Sequence, residues 1–105
     1  MTTKFENLNS QEFQNELENN ETAALLDVRT PAEHRRSKIP GAVNIDIMDE
    51  GFLNAICRLD KSKTYYVYCR SGSRSRHACH VMAQEGFKVA NLAGGILSWH
   101  GEVTQ

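Results

Sequence analysis

A cysteine followed by small and basic residues is the part of this sequence best suited to covalent chemistry. Cys69 opens the run Cys69-Arg70-Ser71-Gly72-Ser73-Arg74-Ser75. Main-chain amides of a tight loop can turn inward as an anion nest, and a helix start adds partial positive charge. With two arginines as well, these surroundings favour the thiolate form of a cysteine. We therefore expect Cys69 to be a nucleophile, although a lone cysteine is more often an inert, partly buried residue.

The segments around Cys69 predict a strand before the loop and a helix after it. Residues 64–68 are aromatic or β-branched, which is typical of a strand. The stretch after the loop carries apolar residues at helical spacing, and Gly86 is placed to end that helix. Other apolar runs predict strands over 23–28, 42–45 and 88–92, and a closing helix is predicted over 96–100.

Short helices are predicted between these strands. Ser10 is the expected N-cap of a helix over 11–19. Thr30 and Glu33 have the spacing of a capping box, for a polar helix that ends near Ser37. Strands that alternate with helices predict a three-layer α/β fold, in which a mainly parallel sheet has helices on both faces. Ligands collect at the carboxyl ends of the strands in such sheets, which is where the cysteine loop begins.

The composition limits the kinds of partner that the chain attracts. In 105 residues, 12 Lys and Arg stand against 13 Asp and Glu, for a formal net charge of −1. This balance offers no general attraction to nucleic acid or to an anionic membrane. We therefore expect neither as a partner, and we expect any anion binding to be local. The length predicts a single domain over 1–105.

Cysteine usage and the amino-terminal residues indicate a reducing compartment. Cys57, Cys69 and Cys79 are an odd number and form no Cys-x-x-Cys pair, which argues against a disulfide framework or a structural zinc site. Residues 1–14 contain one lysine and no apolar run, unlike a secretory signal. We therefore expect a cytoplasmic protein without a bound metal.

Three stretches of the sequence carry a resemblance to a known family. The first is the loop that begins at Cys69. The second reads Leu-Asp-Val-Arg-Thr-Pro-Ala-Glu-His over 26–34 and Ile-Pro-Gly-Ala-Val-Asn-Ile over 39–45. The third reads Asn-Leu-Ala-Gly-Gly-Ile-Leu-Ser-Trp over 91–99. In order and spacing they resemble the rhodanese family, the thiosulfate sulfurtransferases, although Ser37-Lys38 stands where many relatives have Gly-His.

The resemblance implies a rhodanese domain of about five strands that moves sulfane sulfur. Cys69 would take sulfur from thiosulfate or a persulfide donor, hold it as a persulfide, and pass it to cyanide, a thiol or a protein. This covalent route implies no metal and no organic cofactor. Loop amides and guanidinium groups would bind the small sulfur-containing anion. The residues expected to do so are Arg70, Ser71, Gly72, Ser73, Arg74 and Ser75.

Other functions remain open at this point. Cysteine phosphatases and arsenate reductases use a similar loop, but theirs has one more residue between cysteine and arginine than the four in this chain. A shorter loop forms a smaller cradle, which suits one added sulfur atom better than a phosphate. A non-catalytic rhodanese-like binding or regulatory module is the other alternative, because the fold can persist without its chemistry. For Arg74, a pair with a nearby carboxylate is the alternative to anion binding.

Residues outside the loop receive structural interpretations. Asp27 and Arg29 match the family's Asp-Val-Arg motif, and we expect them to form a pair that orders the end of a strand. Cys57 lies beside an apolar helical face, and we expect both Cys57 and Cys79 in the core. Either thiol could instead resolve an oxidised Cys69 by forming a disulfide.

Overall fold

A five-stranded parallel sheet organises the chain. The computed structural model describes residues 4–105. The strands lie in the order β1-β5-β4-β2-β3, and every neighbouring pair is parallel. Their bounds are β1 (Glu6–Leu8), β2 (Ala23–Asp27), β3 (Val43–Asn44), β4 (Thr64–Tyr68) and β5 (Lys88–Leu92). The predicted parallel sheet of about five strands is confirmed.

Helices connect the strands and cover both faces of the sheet, as predicted. They are α1 (Ser10–Asn19), α2 (Pro31–Arg36), α3 (Phe52–Cys57) and α4 (Ser73–Gln84), and a 3₁₀ turn spans Gly95–Ser98. The predicted capping box of Thr30 and Glu33 begins α2. Gly86, with φ of +93°, follows the end of α4. Within residues 4–105, no helix is long and apolar enough to cross a bilayer.

Two apolar layers hold the helices to the sheet. On one face, α3 and α4 bury apolar side chains against the sheet, and these are Phe52, Ile56, Ala78, Cys79 and Met82. On the other face, the ring of Phe13 packs edge-on against Tyr66 and Trp99, with centroids 5.6 and 5.9 Å apart. Burying an aromatic or branched side chain of this kind contributes about 1.5–3 kcal/mol. The central strands therefore have little freedom to shift.

The register of β2 and β4 sets the place of the candidate site. Asp27 lies beside Tyr68 at the carboxyl ends of these two strands. The Val28 amide continues the ladder by donating to the Tyr68 carbonyl at 3.1 Å. The Asp-Val-Arg segment and the cysteine loop therefore begin side by side.

Several predicted local features are corrected by the structure. Asn9, and not Ser10, is the N-cap of α1, where its side chain accepts from the Glu12 amide. Ser10 is the first helical residue, and its hydroxyl accepts from the His100 amide at 2.9 Å. The predicted strand over 42–45 shortens to Val43–Asn44, and the predicted closing helix is a 3₁₀ turn. The pattern also gave no indication of β1.

Candidate active site

The Cys69 sulfur lies directly beyond β4 and beneath the first turn of α4. Sγ accepts a hydrogen bond from the Gly72 amide at 3.1 Å and from the Ser75 hydroxyl at 3.3 Å. Both donors would stabilise negative charge on the sulfur. Cys69 has no exposed surface, and apolar residues surround it on the α4 face of the sheet. The predicted position of Cys69, between a strand and a helix, is confirmed.

The loop offers fewer donors to the sulfur than the sequence predicts. We expected several amides of residues 70–75 to face Cys69, but Gly72 supplies the one amide of this loop that bonds to Sγ. The Ser75 hydroxyl also lies 3.2 Å from the Gly72 carbonyl, so its single proton has two acceptors. Arg70, Ser71 and Ser73 are exposed. Their roles toward a substrate stay predictions.

Two glycines give the loop its shape. Gly72 donates its amide to the sulfur and has a φ of +103°, a conformation that an L side chain rarely adopts. Gly95 leaves no room for a side chain, because a Cβ there would lie 2.3 Å from the Arg70 carbonyl oxygen. This close approach lets the Ile96 amide donate to the Cys69 carbonyl at 2.9 Å. The segment after β5 thus holds the cysteine loop in place through main-chain hydrogen bonds.

Arg74 pairs with a nearby carboxylate, which is the alternative to anion binding that the sequence allows. Its guanidinium makes two hydrogen bonds to Glu33 of α2, at 2.7 and 3.0 Å. Arg74 therefore holds a carboxylate where we had expected it to hold a substrate anion. The Arg74 guanidinium lowers the pKa of Glu33 to about 2. The pair also ties the first turn of α4 to α2 across the carboxyl end of the sheet.

Asp27 and Arg29 form the structural pair that the sequence predicts. Arg29 donates to both carboxylate oxygens of Asp27 from Nε at 3.0 Å and Nη2 at 2.8 Å. Asp27 also accepts from His34 Nδ1 at 2.9 Å and from the Tyr68 hydroxyl at 3.1 Å. Neither Asp27 nor Arg29 bonds to the Cys69 sulfur. Their place is in ordering the end of β2 next to the loop.

Hydrogen bonds keep the buried Asp27 carboxylate charged. Burial alone would raise the pKa of Asp27, but the hydrogen bonds from Arg29 and His34 outweigh burial, and the pKa is lowered. The same burial, with the neighbouring Asp27 charge, raises the pKa of the Tyr68 hydroxyl. Tyr68 therefore remains a neutral donor in this network.

The other two cysteines differ in exposure. Cys79 is buried in the core as predicted, and burial raises the pKa of its thiol. Cys57 is exposed, which corrects the prediction that it lies in the core. Phe52 and Ile56 are the buried residues of the short α3. Cys57 follows Ile56 and points away from their face of the helix, toward solvent. Whether either thiol resolves an oxidised Cys69 stays a prediction.

Several partners of these residues are not predictable from the local sequence. The sequence predicts Glu33 as part of the capping box, but its carboxylate also accepts from Arg74, which lies 41 residues away. His34 and Tyr68 were not connected to Asp27. The available signal was the Asp-Val-Arg motif itself, because a buried Asp and Arg at the end of a strand need donors and acceptors nearby. The pairing of β2 with β4 is what places Tyr68 beside Asp27.

Comparison with known proteins agrees with this geometry. A family model described as a rhodanese-like domain matches residues 9–102. The chain belongs to this family. The rhodanese-like match thus includes the Asp-Val-Arg segment, the cysteine loop and the closing Gly-Gly segment.

Individual relatives of this rhodanese-like chain cover most of its length. The putative sulfurtransferase YtwF of Bacillus subtilis is 40% identical over 86 residues, which are 82% of each chain. The thiosulfate sulfurtransferase PspE of Escherichia coli is 31% identical over 71 residues, or 68% of each chain. The crystal structure of a rhodanese-related protein from Thermoplasma volcanium has a TM-score of 0.84 at 27% identity and covers 95% of this chain and 98% of its own.

Proposed function

We propose that this protein is a sulfurtransferase in which Cys69 carries sulfane sulfur as a persulfide. The observation that carries the proposal is the position of the Cys69 sulfur beside two donors, the Gly72 amide and the Ser75 hydroxyl. Relatives named as sulfurtransferases support a sulfur-transfer role for the chain. Thiosulfate as the donor is supported by the similarity to PspE, which is named a thiosulfate sulfurtransferase.

Loading is a nucleophilic displacement at sulfur. The Cys69 thiolate attacks the outer sulfur of thiosulfate, a new S–S bond forms, and the bond to the sulfonate sulfur breaks with release of sulfite. The negative charge then lies on the outer sulfur of the persulfide. Hydrogen bonds from Gly72 and Ser75 stabilise negative charge on Cys69 Sγ during attack and again when Sγ becomes the leaving group.

Discharge returns the enzyme to its starting state. A thiolate or cyanide attacks the outer sulfur, its bond to Cys69 Sγ breaks, and Sγ takes back the electron pair. The exposed guanidinium of Arg70 is free to bind a sulfonate, for which its planar fork of donors is well suited. Arg74 would join it only after releasing Glu33.

The first test is turnover of thiosulfate and cyanide by wild-type protein and Cys69→Ser. We expect sulfite and thiocyanate from the wild type and none above background from the variant. Activity that survives in Cys69→Ser would remove Cys69 as the nucleophile. Hydrolysis of an aryl phosphate by a protein that forms no persulfide would favour the phosphatase instead.

A non-catalytic binding module is the second candidate, and one observation favours it. Cys69 has no exposed surface, so a donor must displace loop or helix atoms to reach the sulfur. A protein that keeps its fold but neither loads sulfur from thiosulfate nor discharges it would establish the binding role. The loop donors facing Sγ favour the transferase.

A further inference from the structure

The Gly72 carbonyl lies next to the Cys69 sulfur and is approached by three hydrogen-bond donors. These are the Arg76 amide at 3.1 Å, the Ser75 hydroxyl at 3.2 Å and the Asn91 side-chain amide at 3.5 Å. A carbonyl oxygen has two lone pairs and accepts two such bonds fully at one time. The Arg76 amide takes one lone pair, because it makes the first main-chain bond of α4. Ser75 and Asn91 therefore share the other.

The Ser75 hydroxyl has a second acceptor in the Cys69 sulfur. Its oxygen lies 3.3 Å from Sγ, and its single proton bonds to one acceptor at a time. Whenever the proton turns to the sulfur, the Gly72 carbonyl loses one of its bonds. Gly72 is buried, and a buried polar group that loses a partner costs free energy. The turn toward sulfur is therefore opposed unless another donor replaces Ser75 at the carbonyl.

Asn91 of β5 is the donor placed to do this. One hydrogen of its Nδ2 bonds to Asn7 Oδ1 of β1 at 2.9 Å, and Nδ2 also faces the Gly72 carbonyl. Because a carbonyl only accepts, the nitrogen and not the oxygen of the Asn91 amide must lie on that side. At 3.5 Å the contact is longer than a full hydrogen bond, which agrees with Ser75 sharing the same oxygen.

The oxygen of the Asn91 side chain argues against a purely structural role. Asn91 is 2% exposed, and its Oδ1 has no hydrogen-bond partner among residues 4–105. A buried acceptor without a partner lowers the stability of a fold. Leucine has the same branching and would remove this acceptor. It would leave no buried group unpaired, because Asn7 is exposed to water and Ser75 can stay on the Gly72 carbonyl.

We propose that Asn91 is a positioning residue for the Cys69 thiolate and acts through Ser75. While Cys69 is a thiol, the Ser75 hydroxyl donates to the Gly72 carbonyl. When the thiolate forms, the hydroxyl turns to Sγ and the Asn91 amide takes its place at the carbonyl. The Gly72 carbonyl thus keeps two bonds in both states. The proposal rests on the sulfurtransferase function, because it describes how that site holds its thiolate before loading and after discharge.

The test measures how fast iodoacetamide alkylates Cys69 as a function of pH. All proteins carry Cys57→Ser because Cys57 is exposed, and the Cys69 peptide is followed by mass spectrometry. In Asn91→Leu the Ser75 proton should stay on Gly72. The midpoint of the pH profile should then lie about 0.3–1 pH unit higher, the effect of one hydrogen bond. The urea midpoint of unfolding should stay at or above that of the wild type, and an unchanged pH profile would overturn the proposal.

A double variant separates action through Ser75 from a general disturbance of the loop. Ser75→Ala alone should also move the midpoint of the alkylation profile to higher pH. In the Ser75→Ala background, Asn91→Leu should add no further shift, because the hydroxyl through which Asn91 acts is absent. Shifts that add in the double variant would show that Asn91 affects the sulfur by another route, and the proposal would be wrong.

Asn7→Ala is the matched control. It removes the other partner of Asn91 Nδ2 but leaves the hydrogen that faces Gly72, and water can replace the exposed Asn7 side chain. We expect the wild-type pH profile. A shift as large as that of Asn91→Leu would mean that Asn91 acts by anchoring β1, which contradicts the proposal. Failure of the wild type to load sulfur from thiosulfate would instead refute the sulfurtransferase function, while the alkylation profiles would still decide the role of Asn91.

Discussion

The Ser75 hydroxyl is placed to respond to the charge of Cys69. It has one proton and lies 3.3 Å from Sγ and 3.2 Å from the Gly72 carbonyl. A negatively charged sulfur is the stronger acceptor of the two, so the hydroxyl would turn toward Sγ as the thiolate forms. When the sulfur is protonated, the Ser75 hydroxyl can donate to the Gly72 carbonyl instead. The first turn of α4 therefore needs no rearrangement of its backbone between these states.

Glu33 holds the Arg74 guanidinium and so keeps it from binding a substrate anion. The substitution Glu33→Gln tests this role. A glutamine keeps the capping box of α2 but loses the charge that holds Arg74. We expect the KM for thiosulfate to fall by about two- to fivefold, because Arg74 becomes free to bind the sulfonate. Steady-state kinetics at neutral pH provide the measurement. A KM that rises would show that the pair is needed to shape the site.

The same substitution should change the acid stability of the protein. Arg74, with smaller contributions from the Thr30 hydrogen bonds, lowers the pKa of Glu33 from 4.5 to about 2 in the folded state. A lowered pKa stabilises the fold above pH 4.5, and this contribution is lost as the pH falls toward 2. After allowance for solvent screening, we expect Glu33→Gln to lower the free energy of unfolding by about 1–2 kcal/mol at pH 7. The acid limb, which is the fall of this free energy between pH 4.5 and pH 2, should become flatter. Urea unfolding from pH 2 to pH 7 measures both effects.

Glu12→Gln is the matched control for Glu33. Glu12 holds the same position in the capping box of α1, but none of the arginines in residues 4–105 pairs with it. We expect Glu12→Gln to leave the KM for thiosulfate unchanged. If Glu12→Gln flattened the acid limb as much, the stability change would belong to the cap and not to Arg74.

At the scale of elements, the segment after β5 supports the loop after β4. Ile96 and Leu97 donate their amides to the carbonyls of Cys69 and Arg70. This is possible because Gly94 and Gly95 have positive φ angles and bring the backbones together. The 3₁₀ turn thus forms part of the active-site scaffold.

Gly95→Ala should therefore disturb the loop. The new Cβ would lie 2.3 Å from the Arg70 carbonyl oxygen and 2.6 Å from that of Cys69. A non-glycine residue in the left-handed region costs about 1–2 kcal/mol, and the forced displacement adds about 1–3 kcal/mol. We expect lower unfolding free energy in urea together with loss of sulfur loading.

Gly41→Ala separates the strain from the steric overlap. Gly41 also has a positive φ, of +86°, but nothing lies within 4 Å of a Cβ built there. Its substitution should cost only the backbone strain and leave sulfur loading intact. Equal losses for the two variants would mean that the close approach at Gly95 is unimportant.

Local sequence patterns predict some elements well and others poorly. The apolar runs of β2, β4 and β5 are strong signals, whereas β1 has only three residues, of which Leu8 alone is buried. The capping error at α1 was avoidable, because Glu12 stands three residues after Asn9 and completes a capping box that Ser10 lacks. Cys57 follows the buried Ile56 at the end of α3 and faces solvent, which the apolar pattern of this helix does not reveal.

At the scale of the molecule, the order of strands assembles the candidate site. Because β2 and β4 are neighbours, Asp27 and Tyr68 meet at their carboxyl ends and the cysteine loop follows directly. Local patterns predict each strand but not its neighbours, since pairing depends on packing across the whole chain. For this reason the sequence located Cys69 and its loop but not the Arg74–Glu33 pair. The resemblance to rhodaneses implies this fold from the sequence alone.

The central claim is that the Cys69 sulfur, held by Gly72 and Ser75, accepts a sulfane sulfur. The most direct measurement is the mass of each cysteine peptide after protein is incubated with thiosulfate and digested without reductant. We predict a gain of one sulfur atom at Cys69 that cyanide removes, with no gain at the exposed Cys57 or the buried Cys79. No gain at Cys69, or a gain at Cys57 alone, would contradict the account.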